Sequence, residues 1–472
     1  MSKINFGTGG FRAVIGEDFT KENVQLVCQA ISNIILKEGK KREICIGYDN
    51  RFMSEIYAIW CAEVFAGNGV EVELFDEATS TPVAMYASKL NGNDFGIMIT
   101  ASHNPYIYNG IKVFIEEGRD AGVDITNLIE REIDLVKEVK TIDYKEGLTK
   151  NIRLANYVES YVANIVNALD LKSVSSNLNV VFEAKHGSTV NATHLFAKKI
   201  GLLNYKIINS NRDAFFSFKT PAPTVDNLQE LKDAVNESNA NIGFALDADG
   251  DRLAVIDEKG NYIDNNYILA ISYYFLVKYC GKHGGSVKNI ATSNLLDKVT
   301  ENLGYQCVEV PVGFKYVSSA IIENNAVVGG ESSGGLAING HIWGKDSLLA
   351  IAICLKAMSI MGKSFSEILQ EVLDFAGGYT KVILDRQYTF TMQQKEFIDD
   401  VLFKQHKLPC HRFEVEKVVC ENYIKVYYKN GNWSLIRFSG TEPIIRIFAE
   451  GDTLQEATDM IDDFEKFLHL EK

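Results

Sequence analysis

The stretch "GIMITASHNPYIYNGIKVF" (residues 96–114) sets the pattern by which the rest of the chain can be interpreted. It opens with a run of apolar residues that is typical of a buried strand. The run ends abruptly in the polar loop "TASHNP", and Lys112 follows an Asn109-Gly110 pair that predicts a turn. Ser102 in this loop has two simple interpretations, a helix cap or a nucleophile. The choice between them depends on the rest of the chain.

The same succession of strand and polar loop occurs three times in the first three-quarters of the chain. Segments rich in Val and Ile, such as "EICIGYD", "NVVFEA" and "NIATS", alternate with helical segments. This alternation predicts βαβ units with mixed, mostly parallel sheets. Each run ends in an apolar strand and an unusual loop, "TASHNP", "DADGDR" or "GGESSGG". Because ligands of open α/β sheets bind beyond the carboxyl ends of the strands, we expect the three loops to converge on one cleft.

The last quarter of the chain has a different pattern. A hairpin with an Asn430-Gly431 turn, a strand "IIRIFAEG" and a closing helix with a threonine cap predict an α+β module, whose distinctive loop is "RFSGTEP". The predicted fold class is therefore α/β, with four domains around a central cleft: three similar α/β units and a C-terminal α+β domain. The predicted domains are 1–148, 149–255, 256–374 and 375–472.

Composition and charge argue against several classes of partner. A net charge of −14 argues against nucleic acid and against an anionic membrane surface. The most apolar segments are shorter than the roughly 18 residues of a membrane span. The eight cysteines form no C-x-x-C pair, which argues against zinc and disulfides and suits a reducing cytosol. No secretory signal opens the chain, so we expect a cytoplasmic monomer or homodimer that acts on a small molecule.

The loop "DADGDR" predicts a site for a hard cation. Asp247, Asp249 and Asp251 alternate, so their side chains point to one side of an extended backbone. Three crowded carboxylates repel each other unless a cation neutralises them, and oxygen ligands suit Mg²⁺ or Ca²⁺. A helix-loop-helix calcium site is the alternative, with Glu258 as its last ligand. Arg252, however, occupies the position that such a site reserves for glycine, so Mg²⁺ is favoured.

Two further loops have the composition of anion-binding and sugar-binding sites. Guanidinium groups, hydroxyls and exposed N–H groups hold phosphate without a metal. The loop "RFSGTEP" and the strand after it supply them from Arg437, Ser439, Gly440, Thr441 and Arg446. In "GGESSGG", Glu331 and Ser333 place a carboxylate beside hydroxyls, which suits a polyol. The alternatives are a plain turn with two surface arginines and a glycine-rich helix start.

The remaining motifs decide between the interpretations of Ser102. "FGTGGFR" is not a dinucleotide fingerprint, since Arg12 replaces the final glycine; Arg12 is either an anion contact or a structural arginine. Ser102 lacks the G-x-S-x-G elbow of a hydrolase, and His103 beside it is poorly placed to be its base. With magnesium ligands and a phosphate cradle in the same cleft, Ser102 is better explained as the carrier of a phosphoryl group. Lys112 would then act as acid/base or as a charge clamp.

The four loops, in this order and at these intervals, resemble the α-D-phosphohexomutase family over nearly the whole chain. That family includes phosphoglucomutase, phosphomannomutase and phosphoglucosamine mutase. The resemblance implies a phosphoserine at Ser102 and Mg²⁺ held by its phosphate with Asp247, Asp249 and Asp251. The further residues that it implies around the transferring phosphoryl group are Arg12, His103, Lys112 and Arg252. Those that it implies at the substrate are Lys315, Glu331, Ser333, Arg437, Ser439, Gly440, Thr441 and Arg446.

The activity implied by the resemblance is that of an isomerase, an intramolecular phosphotransferase. The phosphoserine passes its phosphoryl group to a hexose phosphate, and the resulting hexose 1,6-bisphosphate, which also serves as activator, returns its other phosphate to the serine. One departure concerns the residue after the sugar-loop Ser-Gly, which is histidine in many relatives and Gly335 here. Either His341 substitutes for it or this chain works without it. Glucose or mannose phosphate is the favoured substrate; the alternatives are a phosphoglucosamine mutase and a Mg²⁺-dependent sugar phosphatase.

Overall fold

The chain, described here from a computed structural model, folds into four successive units, each built around its own sheet. The structure describes residues 4–7, 10–39, 41–410, 412–438 and 444–470. Three units combine a mixed sheet with helices, and the last has an antiparallel sheet. The predicted fold class, with three α/β units and a distinct C-terminal α+β domain, is confirmed.

The first unit contains the largest sheet. Its strands are β1 (Phe11–Val14), β2 (Glu43–Tyr48), β3 (Glu71–Phe75), β4 (Phe95–Ile99), β5 (Tyr108–Ile115), β6 (Arg119–Asp120) and β7 (Ile152–Ala155). Its helices are α1 (Lys21–Glu38), α2 (Ser54–Gly67), α3 (Thr81–Asn91), α4 (Val123–Leu135) and α5 (Tyr144–Gly147). The strand order is β1-β5-β4-β2-β3-β7, with β6 paired to β5. The interior strands β2, β3 and β4 are parallel, whereas β1, β5 and β6 run antiparallel to their neighbours.

The second and third units are smaller versions of the same arrangement. The second comprises α6 (Val158–Ala168), β8 (Asn179–Glu183), α7 (Val190–Lys199), β9 (Asn204–Ile208), α8 (Gln229–Ser238), β10 (Ile242–Leu246), β11 (Leu253–Asp257) and β12 (Tyr262–Ile263). The third comprises α9 (Asn265–Lys278), β13 (Ser286–Asn289), α10 (Leu295–Asn302), β14 (Cys307–Val310), α11 (Phe314–Asn324), β15 (Val328–Glu331), β16 (Gly335–Ile338), α12 (Ser347–Met361) and α13 (Phe365–Phe375). Their strand orders are β12-β11-β10-β8-β9 and β14-β13-β15-β16.

The fourth unit is an antiparallel sheet covered by helices. Its elements are β17 (Val382–Thr389), α14 (Met392–Ile398), β18 (Val415–Cys420), β19 (Tyr423–Tyr428), β20 (Trp433–Phe438), β21 (Ile444–Gly451) and α15 (Leu454–Phe467). The order is β17-β21-β20-β19-β18. The predicted hairpin turn is present, with Gly431 at a φ of 77° between β19 and β20. Thr453 caps α15 by accepting the N–H of Glu456, as the sequence predicts.

One topological feature repeats in the three α/β units and positions the site. In each unit a buried strand of the parallel core is followed directly by an antiparallel partner: β4 by β5, β10 by β11 and β15 by β16. The loops that connect these pairs are "TASHNP", "DADGDR" and "ESSG". Each loop therefore starts at the carboxyl end of a core strand, where α/β sheets bind their ligands.

Two details of the sequence prediction need correction. The first strand of the third unit is β13, which ends at Asn289, so "NIATS" forms the loop after it. The strand escaped recognition because it carries Lys288, whose ammonium is buried against Asp297. The Asn109-Gly110 pair lies inside β5 and is not a turn. Gly110 is needed there because a Cβ would lie 2.6 Å from the Thr100 carbonyl and 2.9 Å from Cγ of Arg12.

The sheets also continue past two of the predicted domain limits. β7 follows residue 148 and yet pairs with β3, and β11 and β12 carry the second sheet past residue 255. One large apolar core runs through the first three units, and the fourth unit has its own. In the described part of the chain, no single helix is long and apolar enough to cross a membrane; α12 and α13 satisfy the criterion only as a pair bent by 86°.

Candidate active site

Ser102 lies buried in the turn between β4 and β5, and its hydroxyl faces the second unit. Its Oγ is 3.0 Å from Oδ2 of Asp247, and its backbone has a φ of 52°, in the left-handed region. Such a conformation is uncommon for a residue other than glycine and is held here by the surrounding loop. The next element after Ser102 is the strand β5 and not a helix, so the helix-cap interpretation is wrong.

A buried arginine that the sequence analysis missed holds the serine loop in place. The Arg51 guanidinium is fully buried and donates to the backbone carbonyls of Ser102, Asn104, Pro105 and Tyr108. Asp49, 3.3 Å from Nε of Arg51, in turn accepts hydrogen bonds from the Ser54 and Thr100 hydroxyls. A planar group with five donors can fix several carbonyls at once. The motif "YDNR", which begins at the last residue of β2, was the available signal.

The loop after β10 is anchored by the two units on either side of it. The N–H of Thr81 at the start of α3 donates to the Asp249 carbonyl, and its hydroxyl donates to the Asp249 carboxylate at 2.5 Å. From the third unit, the Ser347 hydroxyl donates to the Gly250 carbonyl at 2.6 Å. Gly250 has a φ of 73°, and a Cβ there would lie 2.6 Å from Thr189. The three α/β units thus meet at this loop.

Lys112, on the strand β5 that follows the Ser102 turn, forms ion pairs with two of the aspartates. Its Nζ lies 2.6 Å from one oxygen of Asp249 and 2.6 Å from one oxygen of Asp251. Burial opposes the charge of this lysine, but the two carboxylates outweigh burial and raise its pKa. Asp251 has further cations near it, with Nζ of Lys345 at 3.5 Å and Nε of Arg252 at 3.9 Å. Burial opposes the charge of Asp251, but Lys112, Lys345 and Arg252 together outweigh burial and hold its pKa well below its usual range.

The three aspartates fit a divalent cation. Each offers an oxygen that lies within 4.8 Å of the others, and all three residues are buried. Lys112 occupies Oδ2 of Asp249 and Asp251, while Oδ1 of each is buried without a hydrogen-bond partner. Asp247 uses Oδ1 for the N–H groups of Asp251 and Arg252 and turns Oδ2 to Ser102. Orphaned carboxylate oxygens with no other donor are the ligands that Mg²⁺ takes.

The arginines around Ser102 also have N–H donors without an acceptor. Arg12 donates to the Asn104 side chain at 2.8 Å, and the Nε atoms of both Arg12 and Arg252 are buried without an acceptor. Nδ1 of His103 is 3.5 Å from the Ser102 hydroxyl. Burial, Arg252 and Arg12 lower the pKa of His103 well below its usual value, so its ring is neutral at pH 7. The surroundings of Ser102 therefore suit an anion.

Residues 331–334, at the end of β15 and in the loop after it, present one buried carboxylate and one exposed hydroxyl. Glu331 is buried and accepts hydrogen bonds from the Asn289 side chain at 2.9 Å and from the N–H of Gly313 at 3.1 Å. Ser333 is exposed. Lys315 lies in the first turn of α11, the helix that begins after Gly313, and burial lowers its pKa. Two of the predicted substrate residues, Glu331 and Lys315, thus lie at the N-terminus of α11.

The place of the expected histidine is taken by a lysine. A Cβ on Gly335 would collide with the side chain of Lys345, which lies directly over the glycine. The same lysine reaches Asp251 of the second unit. His341, by contrast, is buried and contacts Asn164 at 2.9 Å and Asp346 at 2.7 Å through its two ring nitrogens. His341 therefore does not substitute for the missing histidine, whereas Lys345 supplies a cation at that position.

The arginines of the fourth unit stand side by side. Arg437 on β20 lies directly opposite Arg446 on β21. Nε of Arg437 is buried without an acceptor, and its charge acts on Glu331 of the third unit. Arg446 forms an ion pair with Asp385 and stacks over Phe448. The other predicted residues of this loop, Ser439, Gly440 and Thr441, lie outside the described residues.

Family models match all four units in order. They are described as phosphoglucomutase/phosphomannomutase domain I (residues 3–140), domain II (157–260), domain III (264–375) and the C-terminal domain (401–467). The chain belongs to the phosphoglucomutase/phosphomannomutase family, which is a family of isomerases. The buried aspartate trio is in keeping with the magnesium dependence of this family.

Individual relatives span the whole chain but carry different names. A phosphoglucomutase/phosphomannomutase of Thermococcus kodakarensis is 27% identical, with 98% of this chain and 97% of the relative covered. A phosphoglucosamine/phosphogalactosamine mutase of Sulfurisphaera tokodaii is 28% identical, with 99% of each covered. A phosphoglucosamine mutase of Acetivibrio thermocellus is also 28% identical, with 94% of each covered. Overall sequence identity therefore does not indicate which sugar phosphate is the substrate.

Solved structures share the fold. A phosphoglucomutase/phosphomannomutase family protein of Burkholderia thailandensis has a TM-score of 0.82 at 22% identity, over 99% of this chain and 97% of that one. The open form of parafusin, a phosphoglucomutase from Paramecium, has a TM-score of 0.82 at 21% identity, over 99% and 95%. These similarities establish the four-domain architecture.

Proposed function

We propose that this protein is a phosphohexomutase that interconverts hexose 1-phosphate and hexose 6-phosphate through a phosphoserine at Ser102. The observation that carries the proposal is the position of the Ser102 hydroxyl, 3.0 Å from Asp247 in the loop that carries the three aspartates. Family membership supports the reaction class. The surrounding lysines and arginines supply the positive charge that a transferring phosphoryl group needs.

The mechanism follows from the positions of these groups. The phosphate on Ser102 would hold Mg²⁺ together with Asp247, Asp249 and Asp251, and the bound ion would neutralise charge on the transferring group. Arg12 and Arg252 each have a buried Nε without an acceptor, and both act electrostatically on His103 beside Ser102. Lys112 and Lys345 lie beside the aspartates, where they clamp charge and can exchange a proton with the sugar hydroxyl. Arg51 keeps the strained serine turn from rearranging during transfer.

The second half of the reaction needs the other end of the sugar phosphate to be held. Arg437 and Arg446 would bind the phosphate that is not being transferred, with Ser439, Gly440 and Thr441 of the same loop. Glu331, Ser333 and Lys315 would hold the sugar. After the first transfer, hexose 1,6-bisphosphate reorients so that its two phosphates exchange places, and it then returns its other phosphate to Ser102. If the bisphosphate leaves before this return, Ser102 remains unphosphorylated. The same compound would then activate the enzyme by phosphorylating Ser102 again.

Glucose and mannose phosphates are the proposed substrates. The support is the description shared by the four family models and by the Thermococcus relative. Glucosamine phosphate is the second candidate, because two relatives of equal similarity are named for it. Coupled assays with glucose, mannose and glucosamine 1-phosphates, each primed with the corresponding 1,6-bisphosphate, will rank the three.

The phosphoserine itself is tested by intact mass. After incubation with glucose 1,6-bisphosphate, the wild-type protein should gain one phosphoryl group and Ser102→Ala none, with loss of turnover. Ser333→Ala, a serine of the same cleft, should still gain the group. Turnover by wild type without any added mass would overturn the phosphoserine. A stoichiometric release of inorganic phosphate would instead identify the alternative activity, that of a sugar phosphatase.

A further inference from the structure

The short strand β6 brings Asp120 to the face of the first sheet that carries Lys112. β6 pairs antiparallel with the end of β5, and Asp120 lies directly opposite Phe114. Opposed residues of an antiparallel pair point to the same side of the sheet, as do residues two apart on one strand. Asp120 therefore shares a face with Lys112, which points to Asp249 and Asp251.

The same strand lies against the third unit. β6 packs beside α11, the helix whose N-terminal Gly313 donates its N–H to Glu331 and whose first turn carries Lys315. Asp120 is thus placed between the two ends of the cleft. On one side lies the phosphoryl-transfer end with Lys112, and on the other the sugar loop with Glu331.

Charged groups from all three α/β units act on the Asp120 carboxylate. They are Lys112, Lys345, Asp251 and Glu331, and Asp120 in turn acts on Lys315. The carboxylate therefore lies within electrostatic range of both the aspartate loop and Glu331. This segment follows the recognised "TASHNP" loop and was not singled out from the sequence, because an Arg119-Asp120 pair in a short hairpin has the composition of a solvent-exposed turn.

The Asp120 carboxylate has no hydrogen-bond partner among the described residues of the chain, although the residue is only partly exposed. Burial raises its pKa in spite of the two lysines nearby. A carboxylate withdrawn from water loses the hydrogen bonds of the solvent, and this cost is recovered only where another donor is supplied. Lysines that are not in hydrogen-bond contact reduce the electrostatic cost of the buried carboxylate, but they donate no hydrogen bond to its oxygens. A bound sugar carries several hydroxyl donors.

We propose that Asp120 is a further substrate-binding residue, whose carboxylate accepts a hydrogen bond from a ring hydroxyl of the hexose phosphate. The inference rests on the proposed function and deepens it. Glu331 and Asp120 then hold the sugar from opposite sides, one from the third unit and one from the first. A sugar gripped from both sides draws the first and third units together around it.

The test separates this role from simple charge balance by using substrates that lack single hydroxyls. Wild type, Asp120→Ala and Asp120→Asn are assayed with the hexose 1-phosphate that the wild type prefers and with its 2-, 3- and 4-deoxy analogues. For the parent sugar, kcat/KM should fall about 10- to 100-fold in Asp120→Ala, the range expected for a hydrogen bond to a charged group. For one deoxy analogue, wild type and variant should be equal, because the missing hydroxyl removes the same bond.

Asp124 provides the matched control. It also acts on Lys315 but is exposed in the first turn of α4, so Asp124→Asn should keep the wild-type preference among the analogues. If Asp120→Ala lowered kcat/KM equally for the parent sugar and all analogues, the proposal would be overturned in favour of a charge-balance role. If kcat/KM did not fall for the parent sugar, the proposal would also be overturned. Thermal unfolding midpoints of the Asp120 variants, compared with wild type, identify any failure to fold, and Asp120→Asn keeps the shape of the side chain. Absence of hexose phosphate turnover by wild type would instead overturn the proposed function.

Discussion

The side chain of Lys345 lies over Gly335, in the space that any larger residue at position 335 would need. Its ammonium extends from there to Asp251 of the second unit. Lys345→Ala should lower kcat about 100- to 1,000-fold, the loss expected when one oriented charge is removed from a catalytic site. Steady-state kinetics with the preferred hexose 1-phosphate will measure it.

A pair of histidine variants controls this prediction. Gly335→His alone should be impaired, because its Cβ has no space beside Lys345. Gly335→His combined with Lys345→Ala opens that space and places a proton carrier at the position that holds histidine in many relatives. The double variant should be at least tenfold more active than Lys345→Ala. If the double variant were no more active than Lys345→Ala, a histidine at position 335 would not replace the lysine, and the site would require the Lys345 ammonium itself.

Asp249→Asn should strongly reduce turnover and weaken magnesium binding. The substitution keeps the shape of the side chain but removes one of the three carboxylates that offer an oxygen to the ion. We expect kcat to fall about a thousandfold, since a phosphoryl-transfer site depends on charge neutralisation. Chelation by EDTA should have the same effect on wild type, and added Mg²⁺ should reverse it.

Thr81→Val is the matched variant for this experiment. It removes the hydroxyl that donates to Asp249 at 2.5 Å but leaves the carboxylate in place. Because the lost hydrogen bond is made to Asp249 and not to the ion, its magnesium dependence should shift less than that of Asp249→Asn. Magnesium titrations followed by activity and by thermal unfolding will compare the two variants. If Asp249→Asn retained wild-type turnover, the metal assignment would be wrong.

The aspartate trio is the part of the site that local sequence predicts most directly. Asp247, Asp249 and Asp251 lie in one short loop, so their convergence follows from local spacing. Arg51 and Lys345 were missed because their roles depend on chain segments about 50 and 95 residues away, the serine loop and the metal loop. No local pattern records such contacts. The fold was predictable for the same reason as the aspartates, since alternating apolar strands and helices are local signals.

Arg437→Ala should weaken substrate binding more than it slows the reaction. Arg437 and Arg446 are like charges directly opposite each other on neighbouring strands, which is destabilising by up to about 1 kcal/mol unless an anion lies between them. Removing Arg437 should raise KM about 10- to 100-fold, with a smaller change in kcat. The variant should also lose the thermal stabilisation that inorganic phosphate gives to wild type.

Arg446→Ala is the comparison for that variant. Arg446 already has a partner in Asp385 and stacks over Phe448, so less of its charge is available to a ligand. Its KM should rise less than that of Arg437→Ala. A larger effect on kcat than on KM in Arg437→Ala would show that this arginine acts on the transferring phosphate and not on the distal one.

The contact between the third and fourth units contains a buried lysine with an unusual charge balance. Lys425 is completely buried beside Trp433, and its Nζ lies 2.6 Å from Glu309. Burial and the nearby Lys288 lower its pKa to about 8, although Glu309 and Asp297 act in the other direction. In the unfolded chain a lysine has a pKa of about 10.4.

This difference fixes the direction of a pH dependence. Below about pH 8 the lysine is charged in both states, and the folded protein carries the full cost of the buried charge. Between about pH 8 and 10.4 the unfolded chain holds a proton that the folded one has released, so the free energy of unfolding rises with pH, by at most about 1.4 kcal/mol per unit. Unfolding midpoints of wild type relative to Lys425→Met should therefore increase from pH 7.5 to 9.5. Lys429→Met, at an exposed lysine paired with Glu414, should show no such trend. A difference that shrinks as the pH rises would mean that the charged form of Lys425 is the one that holds the two units together.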